Sequence, residues 1–166
     1  MTAQLVEKRL MEERKLFRKN RLFGFIAKPL TKDDGSIDLR RWICRIPGPS
    51  ASAWEGGSYP LTLVFPDTYP TDPPACIFPA NFFHPNVYPD GKVCLSLLNN
   101  DHDLGGQWAP SISITQILQG IQELLTNPNI YSPAQKPAYD VLKSNKAEYE
   151  RMVRAQAKKY PQSEDE

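Results

Sequence analysis

Read for its apolar spacing, the chain divides into a helix, several short strands, an irregular middle and three further helices. Val6, Leu10 and Phe17 fall near one face of a helical period, with Arg14 and Arg18 on its flank. That spacing predicts an amphipathic helix of about four to five turns. Runs at 25–30 and 37–46 flank the turn Asp33-Asp34-Gly35, and 59–65 and 75–78 are two more β-rich runs. Turn-rich spacers between them predict an antiparallel meander. The stretch 79–111 shows neither period. Irregular segments of that length are uncommon inside compact domains and are usually functional.

Regular spacing then returns. Ile114, Ile117, Leu118, Ile121, Leu124 and Leu125 repeat at helical intervals behind Ser113-Ile114-Thr115-Gln116, which has the form of a capping box. Asn127-Pro128 stops that helix. A second box, Ser132-Pro133-Ala134-Gln135, carries proline at the favoured first helical position and predicts a helix running towards Lys143. The last helix, 145–160, is basic outside and is expected to bury Met152 and Val153. Without repeats or a linker, the expectation is one α+β domain over 1–160, followed by a short acidic tail at 161–166.

Composition narrows the class. The 166 residues are 40% hydrophobic and 23% charged, an ordinary globular balance. A chain this long needs neither disulfides nor a metal to fold. Its three cysteines, Cys44, Cys76 and Cys94, form no Cys-x-x-Cys, and the only histidines are His84 and His102. A disulfide framework and a zinc site are therefore not expected, and free thiols in a reducing compartment are. Residues 1–21 carry charges throughout, so no signal peptide is expected, and no apolar run has the length of a membrane span. Of sixteen prolines, ten fall between Pro47 and Pro89, ahead of Cys94, so proline here stiffens a defined region rather than a linker.

The net charge of +1 conceals an uneven distribution. Residues 1–21 carry +4, residues 22–139 carry −3, residues 140–160 carry +3 and the tail carries −3. Two basic helices thus bracket an acidic body. The chain as a whole does not read as a nucleic-acid-binding strip.

The irregular segment holds the candidate chemistry. It runs from His84-Pro85-Asn86 to Cys94, which lies eight residues after the asparagine, and is followed by Trp108-Ala109-Pro110. Upstream stands Tyr69-Pro70-Thr71-Asp72-Pro73-Pro74. In this combination the chain resembles the ubiquitin-like modifier conjugating enzymes, from about Leu5 to Tyr160. Within that family it is most similar to the SUMO-conjugating branch. Trp54-Glu55-Gly56-Gly57, the 84–97 run, Gln116-Ile117-Leu118, Gly120-Ile121-Gln122 and Ser132-Pro133-Ala134-Gln135 carry that similarity, with the basic pairs Arg14-Lys15 and Arg18-Lys19.

The resemblance implies a helix, a four-stranded antiparallel sheet, an active-site loop and three helices. It implies that Cys94 takes the modifier's C-terminal glycine as a thioester and passes it to a substrate lysine. A carrier of this kind needs one accessible thiolate. Cys44 lies in an alternating strand and Cys76 in a short apolar run, so both read as core. Asn86 is implied either as an amide donor to the tetrahedral oxyanion or as the residue steadying the loop. His84 and Pro85 are implied as structural supports of the site. Tyr88 and Ser132 are implied at the acceptor lysine, with Tyr139 lining the same groove. Ser132 also suits a helix N-cap on local grounds.

The family reads an acceptor motif of a hydrophobic residue, the lysine, any residue and an acid. At the positions that typically hold the acid this chain has Ala75, Asp90 and Lys92. Lys92 is the residue expected to recognise it, partly opposed by Asp90. A second departure is Leu104-Gly105-Gly106-Gln107, four residues inserted between Asp103 and Trp108. The two glycines predict a flexible insertion beside the substrate contact Asp101. Arg14, Lys15, Arg18 and Arg21 are the implied contacts for the activating enzyme and a second SUMO.

The partners implied are SUMO, its activating enzyme, SUMO ligases and lysine-bearing proteins, with no nucleic acid or membrane and a monomeric state. No cofactor is expected, ATP being used by the activating enzyme. The implied location is nucleus and cytoplasm. A ubiquitin-conjugating enzyme of the same chemistry is the nearest alternative. A Cys–His–Asn hydrolase and a non-catalytic binding variant are further ones.

Overall fold

The computed structural model describes residues 2–163. Helix α1 (Ala3–Lys19) is followed by strands β1 (Ile26–Thr31), β2 (Ile37–Pro47), β3 (Ser58–Val64) and β4 (Ala75–Ile77). Three helices then follow: α2 (Ile114–Thr126), α3 (Lys136–Ser144) and α4 (Lys146–Ala157). The strands pair antiparallel in the order β1-β2-β3-β4, the expected meander. Trp42, Cys44 and Ile46 of β2 stand opposite Leu63, Leu61 and Tyr59 of β3, and all six are buried. Alternation therefore places one apolar face inward, as a period of two requires.

That face shares a single core with Val6, Leu10 and Phe17 of α1, with α2, and with Tyr149 and Val153 of α4. All six periodic residues of α2 are buried. Ser113 and Gln116 form both arms of the expected capping box. A long-range contact completes this helix start. Glu13 of α1 is buried, and its Oε1 accepts from the Ile114 N–H at 2.7 Å while Arg9 lies 3.5 Å from Oε2. A carboxylate there also complements the positive end of the helix dipole.

Two expectations change. Helix α3 begins at Lys136 with Gln135 as its cap, four residues after Ser132, so Ser132 is not a helix cap. The reason is tertiary: the Ala134 and Gln135 N–H groups donate to the Pro85 carbonyl at 2.8 and 3.3 Å. Met152 is only half-buried; α4 instead buries Tyr149, Val153, Gln156 and Ala157. After α4 the chain returns to the sheet. The Ser58 N–H donates to the Tyr160 carbonyl at 2.7 Å, and Pro161 bridges to Gly57. The tail's acids Glu164, Asp165 and Glu166 lie outside the described residues. No helix among the described residues is long and apolar enough to cross a membrane.

Candidate active site

The irregular segment is built as a small hairpin laid on the edge of β4. The Cys94 N–H donates to the Asn86 carbonyl at 2.8 Å, Val87 bridges to Val93, and the Tyr88 N–H donates to the Lys92 carbonyl at 2.9 Å. Val93 donates to the Cys76 carbonyl, and Phe78 donates to the Gly91 carbonyl. Gly91 turns the hairpin at φ +97°, and a Cβ there would stand 1.9 Å from the Phe78 oxygen. Only glycine fits this position. The sheet edge thus fixes the backbone that carries Cys94.

His84, Pro85 and Asn86 are all buried beneath that hairpin. His84 Nε2 lies 2.8 Å from the Leu124 carbonyl, and its Nδ1 accepts from the Asn86 N–H at 3.0 Å. A carbonyl needs a donor and an N–H needs an acceptor, so the neutral Nε2–H tautomer is the one that satisfies both. Burial holds the imidazole pKa down at about 4. Neither ring nitrogen is left to take a proton from Cys94.

The side chain of Asn86 is fully engaged. Its Nδ2 donates to the Asn129 and Ser132 carbonyls, both at 2.8 Å, and its Oδ1 accepts from the Asn129 N–H at 2.8 Å. Gln135 works from the other side, its Nε2 donating to the Phe82 and Val87 carbonyls at 2.7 and 3.1 Å. Together they tie the 129–135 segment to the hairpin.

Between these segments lies an open cavity of about 380 Å³ that contains Cys94. Of the residues expected at the site, Tyr88, Lys92 and Ser132 line it with the cysteine, while Tyr139, Asp90, Asp101 and Ala75 do not. Tyr139 sits beside Lys143, whose Nζ donates to its hydroxyl at 3.1 Å. Ala75 lines a neighbouring cleft of about 310 Å³, which Lys92 also lines. Asp90 Oδ1 accepts from the Lys92 N–H at 3.0 Å, closing the turn. Among the described residues the two side chains form no ion pair. Asp101 holds the next turn, its carbonyl accepting from Leu104 and Gly106. A larger cleft of about 540 Å³, between Ser52–Gly56 and Arg154–Pro161, shares no residue with the Cys94 cavity.

Three thiols meet two environments. Cys44 and Cys76 are buried, and burial pushes both pKa values well up, which suppresses thiolate. Cys94 alone is partly exposed. It lies against the Tyr88 phenol, and this neighbour, ahead of slight burial and Asp90, raises the Tyr88 pKa. Tyr88 therefore stays an O–H donor beside the sulfur. Among the described residues no group of three His, Cys, Asp or Glu side chains could hold a metal ion.

The insertion is not a flexible link. Residues His102–Leu104 form a 3-10 turn, Gly105 closes it at φ +83°, and the Gln107 N–H donates to the Ser96 carbonyl at 2.8 Å. Backbone hydrogen bonds override the flexibility that two glycines suggest. The Trp-x-Pro and Tyr-Pro motifs also meet, Trp108 Nε1 donating to the Pro70 carbonyl at 3.0 Å.

This geometry has relatives. The family model described as "Ubiquitin-conjugating enzyme" matches residues 9–157. The chain belongs to the ubiquitin-conjugating enzyme family. It is 49% identical to the SUMO-conjugating enzyme SCE1 of Arabidopsis thaliana, over 97% of this chain and 98% of that one. It is 50% identical to the Sumo-conjugating enzyme ubc9 of Dictyostelium discoideum, over 96% and 98%. It is 53% identical to the SUMO-conjugating enzyme UBC9 of Caenorhabditis elegans, over 92% and 89%.

In this member of the family, sequence reasoning overlooked Asn127, Asn129 and Leu98, which also line the cavity, while Leu104 of the insertion lines it too. Asn127-Pro128 was legible only as a helix stop. The extra role of Asn129 depends on Asn86, 43 residues away, and no local signal announces that bond.

Proposed function

We propose that this protein is a SUMO-conjugating transferase that carries the modifier as a Cys94 thioester and delivers it to lysine. The observation that carries this reading is the single partly exposed cysteine in an open cavity, set against two buried thiols. Full-length identity near 50% to three proteins named for SUMO conjugation supports SUMO over ubiquitin.

In the first step, Cys94 thiolate attacks the modifier's C-terminal glycine carbonyl in its thioester on the activating enzyme. A C–S bond forms at Cys94 and the earlier one breaks. In the second, a substrate amine attacks the same carbonyl, the C–S bond breaks, and the amine proton leaves as the amide forms. ATP is used upstream, and no cofactor takes part on this chain. An ordinary lysine at pKa ~10.4 is neutral in only about one of a few thousand molecules at pH 7. Tyr88 and Ser132 on the cavity wall, with the apolar Leu124, partly desolvate the incoming lysine and favour its neutral form.

Asn86 positions the 129–132 segment against Cys94, since both protons of its Nδ2 are engaged there. Lys92, exposed between the two clefts, recognises the acid of the acceptor motif. The basic face of α1, with Lys15 and Arg18 exposed and Arg14 half-buried, receives the activating enzyme and a second SUMO. Arg21 is partly committed to the fold, its Nε donating to the Phe25 carbonyl at 3.1 Å. SUMO ligases, action as a monomer, and work in nucleus and cytoplasm complete the reading.

The test mixes the protein with each activating enzyme, its modifier and ATP. A thiol-reducible adduct with SUMO is expected, and charging with ubiquitin alone would overturn the SUMO assignment. In the same system Lys92→Ala should narrow the rate ratio between acid-containing and acid-lacking acceptor peptides. An unchanged ratio removes Lys92 from recognition.

A further inference from the structure

The Cys94 cavity has an apolar wall that the lysine-transfer chemistry does not use. Leu104 lines it and is 78% exposed, a large apolar side chain presented to water beside the nucleophile. Leu95 and Leu98 line the same cavity and are half-buried. A lone exposed leucine needs no explanation. This one stands at the site, on a turn held from several sides.

Its support is specific. The Leu104 and Gly106 N–H groups both donate to the Asp101 carbonyl, at 3.1 and 2.9 Å. The Trp108 N–H donates to the Asn99 carbonyl at 3.1 Å, and the His102 ring nitrogen Nε2 lies 3.0 Å from the Trp108 carbonyl. Gly106 is buried, and a Cβ there would stand 2.3 Å from the Asn99 oxygen. The turn is therefore folded against the 96–99 segment. Fixing beforehand the backbone that presents an apolar side chain lowers the ordering cost of binding to it.

We infer that Leu104 is a specificity residue: it receives an apolar side chain of the acceptor polypeptide, at a position outside the four-residue motif around the lysine. The inference rests on the transfer function proposed above. Continuity with the Cys94 cavity selects the occupant. Two chains must approach this sulfur, the modifier's C-terminus and the acceptor. The residue joined to Cys94 is a glycine, which has no side chain to place on a leucine. The acceptor does bring side chains past the wall. The position lies outside the motif because Leu104 belongs to the four inserted residues, a surface additional to the one that reads the motif.

The test uses the protein charged with SUMO and acceptor peptides that share one motif and differ, Leu or Asn, at one flanking position at a time. Rates are normalised to discharge onto free lysine. At one position the Leu peptide should react about fivefold faster than the Asn peptide, the scale set by partly burying one apolar side chain. Leu104→Ala should bring that ratio close to one, and Leu104→Met should keep most of it. Gly106→Ala, which displaces the turn with Leu104 intact, should also weaken it. An unchanged ratio in Leu104→Ala overturns the inference, as does a loss of free-lysine discharge equal to the loss on peptide, which would place Leu104 on the modifier. Failure of Cys94 to charge at all would overturn the transferase reading itself.

Discussion

His84 and Asn86 show how a short motif carries two different kinds of work. Both are buried beneath the loop that bears Cys94, and both use every polar atom of the side chain on backbone groups. The sequence placed them beside the nucleophile but left Asn86 between oxyanion donor and loop support. Its partners at 129 and 132 are distant in the chain, so these bonds come into view only in the folded structure. Replacing Asn86 by Ala removes three hydrogen bonds and should cost about 3 kcal/mol, at roughly 1 kcal/mol each. Denaturant unfolding reads that loss, and amide exchange should accelerate at Asn129. Unchanged stability and exchange would contradict the positioning role.

The histidine makes a pH prediction whose sign is fixed. Its folded pKa of about 4 lies below the ordinary ~6.5. Between those values the unfolded chain binds a proton that the folded protein refuses. Stability is therefore complete above about pH 6.5 and is lost as pH falls towards 4, by up to about 3 kcal/mol from this residue. An NMR titration should show one of the chain's two histidines failing to protonate until about pH 4. Two ordinary titrations near 6.5 would contradict the buried, neutral ring.

At the scale of elements, legibility followed the range of the forces involved. Helix α2 was readable because its cap, its period and its stop are all local. The start of α3 was not, because the Pro85 carbonyl takes the N–H groups that a local box at Ser132 would have used. The 3-10 turn His102–Leu104 escaped notice because a single turn is too short to show an apolar period, and the bonds that seat it, Gln107 to Ser96 and Trp108 to Asn99, span nine to eleven residues. Glu13 was overlooked as a buried charge on a basic helix. Its bond to Ile114 joins α1 to α2, and Glu13→Ala should destabilise the protein by about 1–2 kcal/mol, as for loss of a helix cap. Thermal unfolding of that variant tests the link. A melting temperature equal to the parent's would show that the carboxylate contributes nothing.

Across the whole molecule, the basic surface of α1 and the cysteine cavity are carried by different elements. Cys94 sits where the sheet edge meets the 127–132 segment, while the exposed cations Lys15 and Arg18 belong to α1. The total of +1 hid this division, and the segment charges revealed it. If that face receives the activating enzyme, reversing Lys15 and Arg18 to Glu should slow SUMO charging at low ionic strength. The deficit should shrink as salt screens the encounter. A deficit independent of salt would point away from electrostatic steering.

The most direct test is to locate the carried modifier. After reaction with SUMO, its activating enzyme and ATP, non-reducing mass spectrometry should find one SUMO joined to Cys94, released by thiol. The adduct should be absent in Cys94→Ala and present in a Cys76→Ala variant that remains folded. A reducible adduct that persists in Cys94→Ala, or that maps to Cys44 or Cys76, would contradict the assignment of Cys94 as the carrier.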